Sequence, residues 1–210
     1  LCNFIWASQF ALVKLVEPEL GPIVTTAFPI LLGTGLLIPI VWLERHRRPP
    51  PQRTPLCRKD AAAFLTIGLL GQVVAQLFAT WGAQRSLASN ASVISLALPV
   101  TTALMAYFLL RERMTMLRWI SFMLALAGVL VTSGQDLRQM DLAGRGFFAG
   151  NMMIFLGVMG SSFYNVYSKK LLARFSPLEI LLASYFAPCV LLVPVAMILE
   201  PEGLARLPIL

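Results

Sequence analysis

The chain of 210 residues is 58% hydrophobic and only 13% charged, against about a quarter charged in an ordinary soluble domain. Its apolar residues stand in unbroken blocks: no charge falls between Asp60 and Arg85, Arg85 and Arg111, Arg118 and Asp136, or Arg145 and Lys169. Such blocks leave a helix no face for water, which excludes a soluble enzyme, a nucleic-acid-binding domain and a disordered chain; the net charge of +7 sits in short loops, where it reads as membrane topology and not as a nucleic-acid footprint.

A helix that crosses the hydrocarbon core takes about 20 mostly apolar residues. Seven spans follow in chain order: 1–16, cut short at its start, then 22–43, 61–83, 87–110, 117–133, 146–168 and 177–199. Barrel strands would alternate in polarity, and these blocks do not. The fold class is therefore an all-α membrane protein, a multi-helix transmembrane bundle. The chain begins with Leu1 inside an apolar block, which reads as a fragment. The one long loop, 44–60, contains HRRPPPQRTP and reads as extended and solvated. His46 in it reads as a solvated residue. Cys2, Cys57 and Cys189 show no metal-ligand spacing and no disulfide framework.

Orientation follows from Lys and Arg. One set of alternate loops carries Arg45, Arg47, Arg48, Arg53, Arg58, Lys59, Arg111, Arg113, Arg118, Lys169, Lys170 and Arg174. The other carries only Arg85, Arg138, Arg145 and Arg206. The first set marks the cytoplasm and places the amino-terminal side there, with residues after 199 outside. Trp42, Trp81, Trp119 and Tyr167 fall near span ends, as interfacial aromatics do.

The third span shows two neighbouring stripes, Gly71, Ala75, Ala79, Ala83 and Gln72, Gln76, Thr80, Gln84. Small residues let two backbones approach. The amides of Gln72 and Gln76 either hold the bundle together or face a polar cavity. In the fourth span Pro99 lacks an N–H, so the carbonyl of Ser95 loses its helical partner. A kink at Ser95–Pro99 either widens a central pathway or is a bend needed for packing. Pro39 and Pro194 bend the second and seventh spans in equivalent places. Gly146 and Gly150 form a GxxxG, followed by Gly157 and Gly160; the run fits close packing within the protein, with a homodimer as the other use of such a stripe. Glu112, between Arg111 and Arg113, reads as a structural ion-pair partner. No Asp, Glu or His lies deep in a span, where a proton relay usually needs one, and no Walker-type loop is present.

A shift of 155 residues superposes Lys14 on Lys169, Pro22 on Pro177 and Pro39 on Pro194. The first unit, 1–135, then holds five spans, and the second, 146–210, holds two. An odd number per unit inverts the second copy. Inverted repeats mark secondary transporters, whose substrate sites lie between the halves. A second unit of equal length would need roughly three more spans.

The stretch SVISLALPVTTALMAYFLLRERMTMLRWISFMLALAGVLVTSG resembles the fourth and fifth helices of EamA-type transporters of the drug/metabolite transporter superfamily. A proline within helix four, a glutamate about 13 residues later and a glycine within helix five correspond to Pro99, Glu112 and Gly128. NFIWASQFALVK resembles the family's first helix and YSKKLLARFSPLEI its sixth-to-seventh connection. Trp119, Ile120 and Ser121 stand where the family usually has a glycine. The resemblance implies ten helices, two inverted five-helix repeats and alternating access. It also places helices one and six beside the cavity, and with them Trp6, Gln9, Tyr164 and Asn165. Aromatics can pack on an apolar or cationic substrate and amides can orient it. Trp6, Gln9, Gln72, Gln76, Ser95, Pro99, Tyr164 and Asn165 are thus the expected substrate path.

The expected function is secondary transport of a small molecule across the bilayer of a bacterial inner membrane, with no catalytic residue, metal or cofactor. Export of amino acids, metabolites or small amphipathic compounds comes from the resemblance alone. An exchanger of sugar phosphates or nucleotide sugars would show cations deep in the cavity, for which Lys14 is the one weak candidate. A seven-helix receptor would place its amino terminus outside, and an intramembrane enzyme would need clustered His, Asp, Cys or an activated Ser.

Overall fold

Inside a bilayer the backbone must satisfy its own hydrogen bonds, and every regular element among the described residues is helical. The computed structural model describes residues 19–47, 57–111 and 147–206, with scattered positions in 12–16 and 115–127. Most of the first and fifth spans lies outside them.

The second span is α1 (Pro22–Arg47). The third runs in three pieces, α2 (Arg58–Thr66), a π-helical segment (Ile67–Val73) and α3 (Val74–Gln84). The fourth is two helices, α4 (Ala88–Ser95) and α5 (Leu98–Leu110). Then come α6 (Phe148–Leu171), α7 (Pro177–Leu199) and the short α8 (Pro201–Arg206). Among the described residues four stretches are long and apolar enough to cross a membrane: Pro22–Arg47, Arg58–Gln84, Ala88–Leu110 and Pro177–Leu199. The helix read as span 146–168 is not among them. At 24 residues α6 is about 36 Å long, but it is the most polar of the long helices. It packs against α3, the π segment, α4 and α5, so Asn151 and Ser162 meet protein instead of lipid. Large apolar side chains on α1, α5 and α7 point outward, among them Leu36, Phe108, Phe186 and Ile198. Exposed apolar surface of that extent marks contact with membrane or with further protein, and with helices long and apolar enough to span a bilayer the protein is an integral membrane protein.

Local signals set the helix ends. α7 starts with Pro177 behind a capping box: Glu179 N donates to Ser176 Oγ at 3.1 Å and Ser176 N to Glu179 Oε2 at 2.9 Å. Cys57 N donates to Asp60 Oδ2 at 3.0 Å at the start of α2. α1 ends on Arg45 and Arg47, cations where the helix dipole favours them. Its start is capped from far away. Glu200 accepts from Ile23 N and Val24 N at 3.0 and 2.8 Å, and Gly21 makes room for that carboxylate with φ +80°.

The small-residue stripes interlock. A Cβ on Gly82 would stand 2.7 Å from Gly150 O and Ile154 N, and one on Gly160 would stand 2.6 Å from Ala75 N. Gly157 lies against Ala75 and Ala79, and Gly71 against Tyr164. The glycines of α6 are thus spent on the third span within the same chain. Two apolar clusters close the ends of the bundle. Ile23, Val24, Ala27, Ile30, Val73, Leu192 and Ala196 pack at the Glu200 end. Phe64, Ile67, Leu171, Phe175 and Ile180 pack at the other.

Candidate functional site

Helix termini meet at two ends with different charge. Arg174 Nη1 lies 2.6 Å from Asp60 Oδ1, Arg45 Nε lies 3.9 Å from Glu179 Oε1, and Ser176 Oγ donates to Glu44 at 3.1 Å. The end of α1, the start of α2, the end of α6 and the start of α7 therefore share one end. Leu110 and Lys169 line one cavity, which brings the end of α5 there too. Arg85, whose guanidinium stands 5.4 Å over Trp81 and 3.7 Å from Met153 Sδ, belongs to the opposite end. At the basic end Lys170 stands 5.6 Å over Tyr167, and Trp42 lies against His46.

The fourth span breaks where its sequence places proline. Leu96 N and Ala97 N donate to carbonyls only three residues back, Val93 O and Ile94 O. A new helix then starts with Pro99 in its first turn, where a missing N–H costs least. Pro99 is thus the start of a helix and not a kink within one. Ser95 Oγ turns back to Ala91 O at 2.7 Å, a bond within its own helix. Beyond the break Thr101 and Thr102 both reach the fully buried Ser162 Oγ, at 2.5 and 3.1 Å. These hydroxyls tie α5 to α6, and a cavity of about 460 Å³ lies beside Thr102. Pro99, Thr102, Ala106, Asn165, Val166 and Lys169 line it. One hydroxyl, one amide and one cation face an otherwise apolar wall, an arrangement able to orient a small molecule with a single polar or anionic head.

Two of the expected path residues, Pro99 and Asn165, meet in that cavity. Gln72 is buried in the π segment, and its chain neighbour Gly71 packs on Tyr164. Gln76 is half-buried one turn on in α3. Gln72 makes no side-chain hydrogen bond among the described residues. π turns inside membrane helices free backbone groups and recur at functional sites. Trp6, Gln9, Glu112 and Gly128 lie outside the described residues. Pro39 and Pro194 lie within α1 and α7 on exposed faces. Ser86, in the connection between α3 and α4, donates to Asn151 Oδ1 of α6 at 2.5 Å. The Thr101–Thr102–Ser162 cluster escaped the sequence reading; its only signal was polar pairs inside apolar blocks. Among the described residues no cluster of His, Cys, Asp and Glu is arranged to hold a metal.

α1 and α7 run antiparallel, and Thr34 Oγ1 touches Cys189 Sγ at 3.2 Å across a separation of 155 residues, the offset of the sequence repeat. The same step takes Val24 to Glu179 and Arg45 to Glu200, so the contact of Val24 with Glu200 and that of Arg45 with Glu179 exchange places.

The sequence profile of the EamA-like transporter family matches residues 1–134. The chain belongs to this family. It is 30% identical over 187 residues to the uncharacterized transporter YcxC of Bacillus subtilis (strain 168), covering 86% of this chain and 55% of that protein. It is 25% identical over 176 residues to the uncharacterized transporter YetK of the same organism, covering 84% and 52%. To the chloroplastic WAT1-related protein At3g02690 of Arabidopsis thaliana it is 32% identical over 131 residues, covering 61% and 29%. The chain spans about half the length of the Bacillus relatives it matches. As a member of the EamA-like transporter family it falls within the drug/metabolite transporter superfamily.

Proposed function

We propose that the protein is a secondary transporter that exports amino acids, metabolites or small amphipathic compounds by alternating access between two inverted five-span repeats. Its basic end faces the cytoplasm of a bacterial cell. The observation that carries this reading is the pairing of α1 with α7. Residues one repeat apart touch at Thr34 and Cys189, near the middle of both helices, and the flanking contacts exchange under the same step. Two helices related in this way lie on a pseudo-twofold axis in the membrane plane, the symmetry by which inverted repeats open to one side and then the other. The cavity of Pro99, Thr102, Asn165 and Lys169 opens beside the interlocked third span and α6 and is the proposed station for substrate, with Gln72 and Gln76 on the neighbouring helix. Lys169 there suits a carboxylate and also favours the second reading, exchange of a phosphorylated sugar.

The test is transport by the full-length protein in proteoliposomes, with an imposed pH gradient and a panel of amino acids, amphipathic compounds and sugar phosphates. Asn165→Leu should lower transport per folded molecule about tenfold, the worth of one well-placed hydrogen bond. Lys169→Met should abolish preference for anionic substrates. Unchanged transport in Asn165→Leu, Gln72→Leu and Gln76→Leu alike would return these amides to packing.

A further inference from the structure

A second concavity, of about 680 Å³, runs along the outside of the bundle between α1, α2 and α7. Its floor is apolar, formed by Val41, Phe64 and Ala187. Its rim is apolar and open: Ile38, Leu65 and Phe186 are 53%, 54% and 67% exposed. It starts beside Thr34, at the midpoint of α1, and ends at Arg45. The helical rise between those two residues is roughly 16 Å, about half the thickness of a hydrocarbon core near 30 Å. A groove of that length, open along its outer side among the described residues, fits one acyl chain lying along the membrane normal in one leaflet.

The mouth of the groove carries charge of one effective sign. Three carboxylates stand there, and each is engaged in the fold. Asp60 accepts from Cys57 N and from Arg174, Glu179 caps α7 and faces Arg45, and Glu44 accepts from Ser176 Oγ. Arg47 on the end of α1, and Arg58 and Lys59 on the start of α2, are exposed beside them. Basic pockets between transmembrane helices recruit anionic headgroups.

We propose that this groove is a binding site for an anionic phospholipid of the leaflet at the basic end, with one acyl chain between α1 and α7 and its phosphate at Arg45 and the neighbouring cations. Such a lipid bridges α1, α2 and α7, the elements that the Asp60–Arg174 and Arg45–Glu179 pairs also join.

The full-length protein is reconstituted in vesicles of phosphatidylcholine containing a minor fraction of phosphatidylglycerol, re-extracted in mild detergent, and its bound lipid counted by mass spectrometry. Phosphatidylglycerol should be enriched over its bulk share. Arg45→Gln should lower the enrichment about fivefold, the worth of one cation at a charged surface, while Arg85→Gln at the opposite end leaves it unchanged. Ala183→Phe, which fills the groove with every charge in place, should also abolish it; Phe186→Ala removes the rim without crowding and serves if Ala183→Phe does not fold. Bound lipid that mirrors the bulk, or enrichment that survives both Arg45→Gln and the groove variant, overturns the proposal.

Discussion

A methyl group at Gly82 would stand 2.7 Å from backbone atoms of Gly150 and Ile154, whereas one at Gly35 would meet nothing within 4 Å. The first cannot be absorbed by a flexible side chain, so α3 and α6 must part. Gly82→Ala should destabilise the protein by about 1–3 kcal/mol, and Gly35→Ala should be neutral or stabilise it by about 0.5–1 kcal/mol. Thermal unfolding in one detergent compares the two. Equal melting temperatures would mean that the helices are not in contact there. Glu200 offers a second residue-scale test. Glu200→Ala leaves the N–H groups of Ile23 and Val24 without their acceptor, at about 1–2 kcal/mol, and Glu200→Gln, which keeps one acceptor oxygen, should recover part of that loss.

Among the described elements, the third and fourth spans differ most from uniform helices. The π segment, with hydrogen bonds spanning five residues instead of four, amounts to one residue inserted into an α-helix, which turns α2 relative to α3. Deleting Leu70, 54% exposed within it, should restore an α-helix and rotate α2 by about 100°. That carries Asp60 away from Arg174. The expected outcome is a folded protein with a lower melting temperature, rescued little by salt; a melting temperature equal to the parent's would show that the π turn does not set the register. Such irregularities were partly legible. The break at Leu96–Ala97 had Pro99 as its mark, and the interlock of third span with α6 had small residues every fourth place. The π turn had no mark, because a block apolar on every side carries no phase from which a lost register can be read. The same lack of phase hid which way Gln72, Gln76 and Asn165 turn. Glu200 as the cap of α1 was also invisible, since a capping signal is local in sequence and this acceptor is 177 residues away. Thr34 and Cys189, by contrast, stood at the repeat offset all along and only needed the helices laid side by side.

At the scale of the molecule the pairing of α1 with α7 and the charge of the two ends make independent predictions. Thr34→Cys in a background with Cys2→Ser and Cys57→Ser should form a disulfide with Cys189 under mild oxidation, holding the two halves together after cleavage at a protease site inserted in 136–145. Failure to link, with a bifunctional thiol-reactive cross-linker spanning several ångströms also ineffective, would remove the central contact and the symmetry built on it. In the parent protein Cys57 is exposed at the basic end. A membrane-impermeant thiol reagent applied to intact cells should leave it unlabelled, and strong labelling absent from Cys57→Ser would reverse the orientation.

The cap on α1 also has a consequence for biosynthesis. Ile23 leaves the ribosome 177 residues before Glu200 does. At about 5–20 residues per second the first of these helices waits roughly 9–35 s for the carboxylate that closes its amino end. During that interval the nascent chain holds α1 without its cap, its antiparallel neighbour or its end cluster. Translation order thus makes the Glu200 end close after the third and fourth spans have been made. A ribosome stalled short of Glu200 should leave that end open to proteases long after the third and fourth spans have found α6.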